Sequence, residues 1–202
     1  MAFIPRTLTE DNLELVTQVN HFANFLLTNL LVDLLAAAGN SRVVMVSSLS
    51  HGWVQHGLNY EDVTWEKSEY SMTAAYGNSK LANILFAKEF GRRHQQRGIR
   101  TYSVHPGAVL TELGRDIRKK LPVFLVPLTD YLSSLVLMTP QGGAQTILYC
   151  AVEPGLSQET GLYYANCQVK TPSQAAQSSE EAQKLWQFSS DIVGDIGPLQ
   201  IR

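Results

Sequence analysis

The 202-residue sequence is poor in cysteine, in net charge and in long apolar runs. Its two cysteines, Cys150 and Cys167, are too few for a disulfide framework. A net charge of −2 gives no basic surface of the kind that nucleic-acid binding requires. No long apolar stretch follows basic residues at the start, so no secretory signal is expected. We therefore expect an intracellular protein, cytoplasmic or membrane-associated, that does not bind nucleic acid.

Metal ligands and membrane spans are also scarce. His51 and His56 lie five residues apart and lack the spacing of a helical zinc pair, so no metal site is expected. The most apolar stretch, residues 121–138, contains two prolines and Asp130, which make it a poor spanning helix. It is suited either to contact with a membrane surface or to the wall of an apolar pocket.

Helical and strand patterns alternate along the chain, which indicates an α/β fold with a parallel sheet. Thr9 is predicted to cap a first helix that ends at Gly39. Further helices are predicted at 74–97, from a Thr139 cap, and from a Ser178–Glu181 capping box. The predicted strands are 42–46, 99–105 and 161–167. The sequence has no internal repeat, so residues 1–202 are expected to form one domain.

The predicted helix at 74–97 places Tyr76 and Lys80 one turn apart on the same face. A free phenol has a pKa of about 10 and is a poor acid–base catalyst at neutral pH. One positive charge at about 4 Å, with an effective dielectric near 20, supplies on the order of 4 kcal/mol in favour of the phenolate. That is nearly enough to lower the pKa of Tyr76 to about 7. The pair is thus a candidate general acid–base, although such spacing also occurs by chance.

Other polar residues follow two predicted strands. Ser47 and Ser48 come after the strand at 42–46, and Pro106 and Gly107 follow the next strand. Ligands of open α/β sheets bind at the carboxyl ends of the strands, where the start of the Tyr76 helix can also pack. A serine at this edge can hold a substrate oxygen while Tyr76 exchanges a proton with it.

Seven stretches, in order along nearly the whole chain, resemble the short-chain dehydrogenase/reductase family, and most of all its retinol dehydrogenase-like branch. They are NHFANFLLTNLL, SRVVMVSSLSH, AYGNSKLANILFAKEF, VHPGAVLTELGR, TPQGGAQT, GLYYANC and AQKLWQFS. The resemblance implies a Rossmann-like, doubly wound parallel sheet of which only the last three strands and their helices are present. Residues 1–202 would form one partial domain, with 115–138 as a hydrophobic substrate lobe.

The resemblance also implies residue roles. Tyr76 would be the general acid–base, Lys80 would lower its pKa and bind the nicotinamide ribose, and Ser48 would orient the substrate. Asn20 would hold a water in a proton relay. The loop contacting the nicotinamide end of the cofactor would include Pro106, Gly107, Val109 and Thr111. The implied reaction is hydride transfer between NADP or NAD, with NADP favoured, and a lipophilic alcohol or carbonyl compound such as a retinoid.

The sequence lacks the glycine-rich Thr-Gly-x-x-x-Gly-x-Gly turn that binds the cofactor pyrophosphate in this family. We therefore expect a truncated form or fragment, with the strand at 42–46 exposed as an unpaired edge. Alternatives to an active oxidoreductase remain open: a non-catalytic interaction module, which includes self-association, or a lipid-binding remnant.

Overall fold

The computed structural model describes residues 1–54, 57–109 and 137–196. The helices are α1 (Leu15–Thr17), a π-helical turn (Gln18–Phe22), α2 (Ala23–Leu30), α3 (Val32–Ala38), α4 (Met72–His94), α5 (Pro140–Val152), α6 (Gln174–Gln177) and α7 (Ser179–Ile196). The strands are β1 (Ser41–Val46), β2 (Ile99–His105), β3 (Leu162–Ala165) and β4 (Gln168–Val169). Short 3₁₀ turns occupy Leu49–Trp53, Gln95–Arg97 and Pro154–Gln158.

The sheet has the order β1-β2-β3-β4, with the first three strands parallel. Helix α4 connects β1 to β2, and α5 precedes β3. Apolar side chains on one face of the sheet pack beneath α4 and α7, and those on the other pack with α5. Helices therefore cover both faces, which confirms the incomplete doubly wound α/β fold. The structure adds a short antiparallel strand, β4, because Asn166 and Cys167 adopt positive φ angles and turn the chain back on itself.

The predicted start of the first helix at Thr9 is wrong. Asn12 has a φ of 57°, which is incompatible with a continuous helix, and Leu8 pairs with Glu14 across the resulting turn. The Glu14 carboxylate then accepts hydrogen bonds from Val16 N at 2.9 Å and Thr17 N at 2.8 Å. The helix therefore begins at Leu15 with a glutamate cap, while its predicted end at Gly39 is confirmed by a φ of 62°.

The other predicted caps are present. Thr139 Oγ1 accepts a hydrogen bond from Gly142 N at 3.1 Å, and Ser178 Oγ accepts one from Glu181 N at 3.0 Å. The Glu181 side chain binds Tyr60 Oη instead of closing the capping box. Helix α7 buries Ala182, Leu185, Trp186 and Val193 as its amphipathic pattern predicts.

One edge of the sheet is formed by β1, which pairs only with β2 among the described residues. Leu27, Leu30 and Leu34 are more than half exposed on α2 and α3, and α3 packs against β1. The predicted open edge is therefore present in this part of the chain. No single described helix is both long and apolar enough to cross a membrane, although Leu15–Leu30 and Val32–Ala38 meet the length and composition criteria as a pair bent by 55°.

Candidate active site

The candidate site lies where β1 ends and α4 begins. Ser47 extends the ladder, since its N–H donates to Val104 O at 2.7 Å and its hydroxyl donates to Lys80 O at 2.8 Å. Ser48 follows with extended backbone, and its Oγ accepts a hydrogen bond from Ser50 N at 3.2 Å. These contacts fix the strand end against the second and third turns of α4.

The Ser48 side chain lies close enough to Tyr76 to lower the pKa of the phenol. Ser71 caps α4 by accepting a hydrogen bond from Ala74 N, so Tyr76 stands near the start of the helix. Phe3 packs on the Tyr76 ring, with 5.0 Å between the ring centroids. The predicted serine–tyrosine pair is therefore assembled, and the Phe3 contact had no signal in the sequence.

Lys80 lies beside this pair, but its ammonium group is hydrogen-bonded to the end of β1. Its Nζ is 5.5 Å from the centre of the Tyr76 ring and donates to Val46 O at 3.1 Å. Burial raises the pKa of Tyr76 above its usual value, and the Ser48 side chain opposes that rise. The expected lowering of the Tyr76 pKa by Lys80 is therefore not found, because the free-energy cost of burying the phenolate exceeds its stabilisation by neighbouring groups. Burial also lowers the pKa of Lys80 itself.

Asn20 reaches the same helix from the π-helical turn. Its Nδ2 donates to Ser79 Oγ at 3.0 Å, and Ser79 Oγ donates to Tyr76 O at 2.8 Å. The amide also contacts Met1 O at 2.8 Å. Single π-helical turns occur frequently at functional sites, and here the extra residue brings a side chain that is 5% exposed onto α4. Asn20 is therefore close to the pair, while its predicted role in a water relay stays a prediction.

The loop after β2 lies at the same edge of the sheet. Gly107 has a φ of 93°, and a Cβ at this position would collide with the Met138 sulfur. Met138 N donates to Ala108 O at 2.7 Å, and Val109 pairs with Met138. Pro106, Gly107 and Val109 are thus held against the start of α5. Thr111 and nearly all of the predicted lobe at 115–138 lie outside the described residues.

The site combines two hydroxyls and an ammonium at one strand end. Ser48 and Tyr76 can both hydrogen-bond a single carbonyl or hydroxyl oxygen, and Lys80 has donors beyond the one used on Val46. This donor set fits the nicotinamide ribose and a substrate oxygen. No group of three or more His, Cys, Asp or Glu side chains suited to a metal ion occurs in the parts of the chain that the structure describes.

Comparison with known proteins gives consistent matches. A family model described as short chain dehydrogenase matches residues 64–122. Human retinol dehydrogenase 13 is 38% identical over 190 residues, covering 94% of this chain and 57% of that protein. Mouse retinol dehydrogenase 14 is 40% identical over 190 residues, covering 94% and 55%. Bovine dehydrogenase/reductase SDR family member 13 is 40% identical over 193 residues, covering 94% and 49%.

Solved structures share the fold. A crystal structure of an uncharacterized protein from Mycobacterium paratuberculosis has a TM-score of 0.71 and 30% identity, with 96% of this chain and 64% of that chain covered. An NADPH-bound short chain oxidoreductase from Pseudomonas aeruginosa PAO1 has a TM-score of 0.55 at 17% identity, with 80% and 60% covered. The chain spans about half the length of the curated relatives it matches. The chain is therefore similar, over nearly its whole length, to members of the short-chain dehydrogenase/reductase family that include retinol dehydrogenases.

Proposed function

We propose that this chain carries the catalytic groups of an NAD(P)-dependent oxidoreductase that acts on a lipophilic alcohol or carbonyl compound. The observation that carries the proposal is the closeness of the Ser48 and Tyr76 side chains to each other and to Lys80 at the carboxyl end of β1. The names of the relatives, which include retinol dehydrogenases, support a retinoid-like substrate, and the apolar composition of 121–138 is compatible with one.

In the reductive direction, Tyr76 donates its phenolic proton to the substrate carbonyl oxygen, and the Ser48 hydroxyl hydrogen-bonds the same oxygen. Lys80 favours the phenolate that remains on Tyr76. Asn20 supports this arrangement through Ser79, whose hydroxyl donates a hydrogen bond to the Tyr76 carbonyl oxygen. Lys80 and the Pro106–Val109 loop would hold the ribose and ring of a nicotinamide cofactor, which would supply the hydride.

The proposal is tested on the 202-residue chain by following NADPH or NADH absorbance with all-trans-retinal or a long-chain aldehyde. Tyr76→Phe should lower kcat by about 100-fold or more, since it removes the proton donor but keeps the ring. Tyr149→Phe is the matched control, because Tyr149 lies on α5 away from the site and should keep activity within about twofold. Turnover that is absent from the parent chain, or unchanged in Tyr76→Phe, would overturn the proposal.

A second candidate is a non-catalytic interaction module. The open edge of β1 and the exposed leucines of α2 and α3 favour this alternative, as does the lack of a glycine-rich turn in the 202 residues. Titration of the chain against NADPH and NADH fluorescence separates the two functions. Saturable binding supports the oxidoreductase, and no binding up to millimolar cofactor supports the interaction module.

A further inference from the structure

His51 lies in the 3₁₀ turn directly after Ser48 and is 4% exposed. Its Nδ1 is 2.6 Å from Ser48 O, and its Nε2 accepts a hydrogen bond from Ser173 N at 3.0 Å. Ser173 stands between β4 and α6, so the two partners are 125 residues apart in sequence. The imidazole therefore joins the segment that carries Ser48 to a distant segment on the other side of the ring.

These two partners determine the tautomer of His51. A backbone N–H can only donate and a backbone C=O can only accept. Nε2 must therefore be unprotonated to receive Ser173 N–H, and Nδ1 must carry the proton that is donated to Ser48 O. Only the neutral Nδ1–H form satisfies both bonds. Burial lowers the pKa of His51, which agrees with a neutral ring.

The surroundings hold the ring in place. Tyr163 packs edge-on against His51, with 5.1 Å between ring centroids, and His105 is close enough for its pKa to be lowered further by His51. The Ser48 carbonyl thus has a fixed donor, and its peptide group cannot turn without breaking this bond. The same residue's side chain is close enough to Tyr76 to lower the pKa of the phenol. Fixing the peptide of Ser48 fixes the position of its Cβ, and the hydrogen bond from Ser50 N then directs its hydroxyl.

We infer that His51 is a positioning residue, whose neutral Nδ1–H imidazole joins the Ser48 carbonyl to the Ser173 amide and so holds the Ser48 hydroxyl against Tyr76. Its catalytic consequence rests on the proposed oxidoreductase function, whereas its effect on Tyr76 does not. The alternative is a purely structural role, in which His51 only packs against Tyr163 of β3.

Three variants separate these roles. His51→Asn keeps an amide near the position of Nδ1 and can still donate to Ser48 O, but it is too short to reach Ser173. His51→Gln can place its oxygen near the position of Nε2 for Ser173 N–H, but it loses the donor to Ser48. His51→Phe keeps the ring packed on Tyr163 and loses both bonds. Melting temperatures of all three give the purely structural effect.

The first measurement is a tyrosine ¹³Cζ NMR titration, with Tyr76 assigned by its loss in Tyr76→Phe. A hydrogen bond to the charged form of a group favours that form. Tyr76 should therefore titrate at the same pH in the parent and His51→Asn, and roughly half to one unit higher in His51→Gln and His51→Phe. Histidine ¹⁵N spectra of the parent should show the proton of His51 on Nδ1. An Nε2–H tautomer, or identical Tyr76 titrations in all four proteins, would overturn the inference.

The second measurement is turnover. Loss of the Ser48 contact should lower kcat by about tenfold or more in His51→Gln and His51→Phe, with cofactor KM within about twofold, while His51→Asn retains most of kcat. If kcat instead follows melting temperature across the series, His51 is only structural. If Tyr76→Phe is fully active, the proposed function fails, and the NMR titration still decides the role of His51. If Tyr76→Phe is inactive and His51→Phe is unchanged, only the inference fails.

Discussion

Tyr76 shows why spacing alone does not determine a pKa. Lys80 Nζ lies 5.5 Å from the centre of the Tyr76 ring, and a positive charge near a phenol favours the phenolate. The spacing of the two residues in the sequence indicates this attraction but not the opposing free-energy cost of removing the phenolate from water. In the structure burial is the largest effect on the pKa of Tyr76, and the Ser48 side chain has the opposing one. Proximity could be predicted from the sequence, but burial could not.

His21 gives a pH-dependent prediction of stability. It is 1% exposed, its Nε2 is 2.7 Å from Ser189 Oγ, and burial lowers its pKa to about 3, with Asn83 opposing that shift. The unfolded chain therefore binds a proton at His21 below about pH 6.5, whereas the folded chain does not. The free energy of unfolding should be highest above pH 6.5 and should fall on acidification by about 1.4 kcal/mol per pH unit from this residue.

The measurement is urea unfolding of the parent and His21→Gln at pH 7.5, 6.0 and 5.0. Glutamine can keep a bond to Ser189 and does not titrate. The unfolding free energy of His21→Gln should therefore change less steeply with pH, by up to about 1.4 kcal/mol per pH unit, which corresponds to one bound proton. Equal slopes in the two proteins would show that His21 is not the neutral buried base described above.

At the scale of elements, the close approach of α4 to the Leu49–Trp53 turn depends on Gly77. A Cβ at this position would lie 2.9 Å from the Ser50 carbonyl oxygen and 3.4 Å from Val54 Cγ2. Alanine favours a helix by about 1 kcal/mol over glycine, but overpacking typically costs 1–3 kcal/mol. Since the backbone oxygen cannot rotate away, Gly77→Ala should destabilise the protein by about 1 kcal/mol net and shift the turn that carries His51.

The matched control is Gly194→Ala on α7, where a Cβ would meet no atom within 4 Å. This change should raise the free energy of unfolding by up to about 1 kcal/mol from helix propensity alone. Both values come from urea unfolding curves. A stabilised Gly77→Ala protein would mean that the helix and the turn are not in close contact.

Local signals predicted most elements but not the first helix. The strand at 42–46 contains the apolar run Val43–Val46, and the strand at 99–105 is rich in β-branched and aromatic residues. The caps at Thr139 and Ser178 are short-range chemistry. Asn12 was read as part of a helix because Thr9 can cap one there, while its left-handed backbone accompanies the bridge between Leu8 and Glu14. The β4 strand was missed because two residues give almost no periodic signal.

The identities of the site residues could be predicted from the sequence, but the hydrogen bonds that hold them could not. Ser48, Tyr76 and Lys80 were identified from order and resemblance, and the parallel sheet brings them to one edge. His51 was considered only as a metal ligand, because its partner Ser173 is 122 residues away and no local pattern connects them. Long-range hydrogen bonds of this kind depend on the packed fold, and a single sequence carries no signal for them.

At the scale of the whole molecule, the distribution of exposed apolar surface is uneven. We call the free edge of β1 together with Leu27 and Leu30 of α2 the open flank. Both leucines are more than half exposed and lie three residues apart on one helical face. A strand edge presents unpaired N–H and C=O groups, and exposed apolar side chains add burial energy on association. The open flank is therefore the surface most suited to self-association in the part of the chain that the structure describes.

We predict that the 202-residue chain associates through this flank in a concentration-dependent way, which sedimentation velocity can measure from about 1 to 100 μM. Leu27→Lys combined with Leu30→Lys should shift the protein toward monomer without lowering its melting temperature, because neither side chain is buried. Leu148→Lys combined with Val152→Lys is the control, since both residues are more than half exposed and lie one turn apart on α5, which packs on the opposite face of the sheet from α2. If the control substitutions dissociate the oligomer as effectively, association is a general effect of exposed apolar area. If the parent chain is monomeric throughout the range, the open flank does not self-associate, because its unpaired strand groups are satisfied by water.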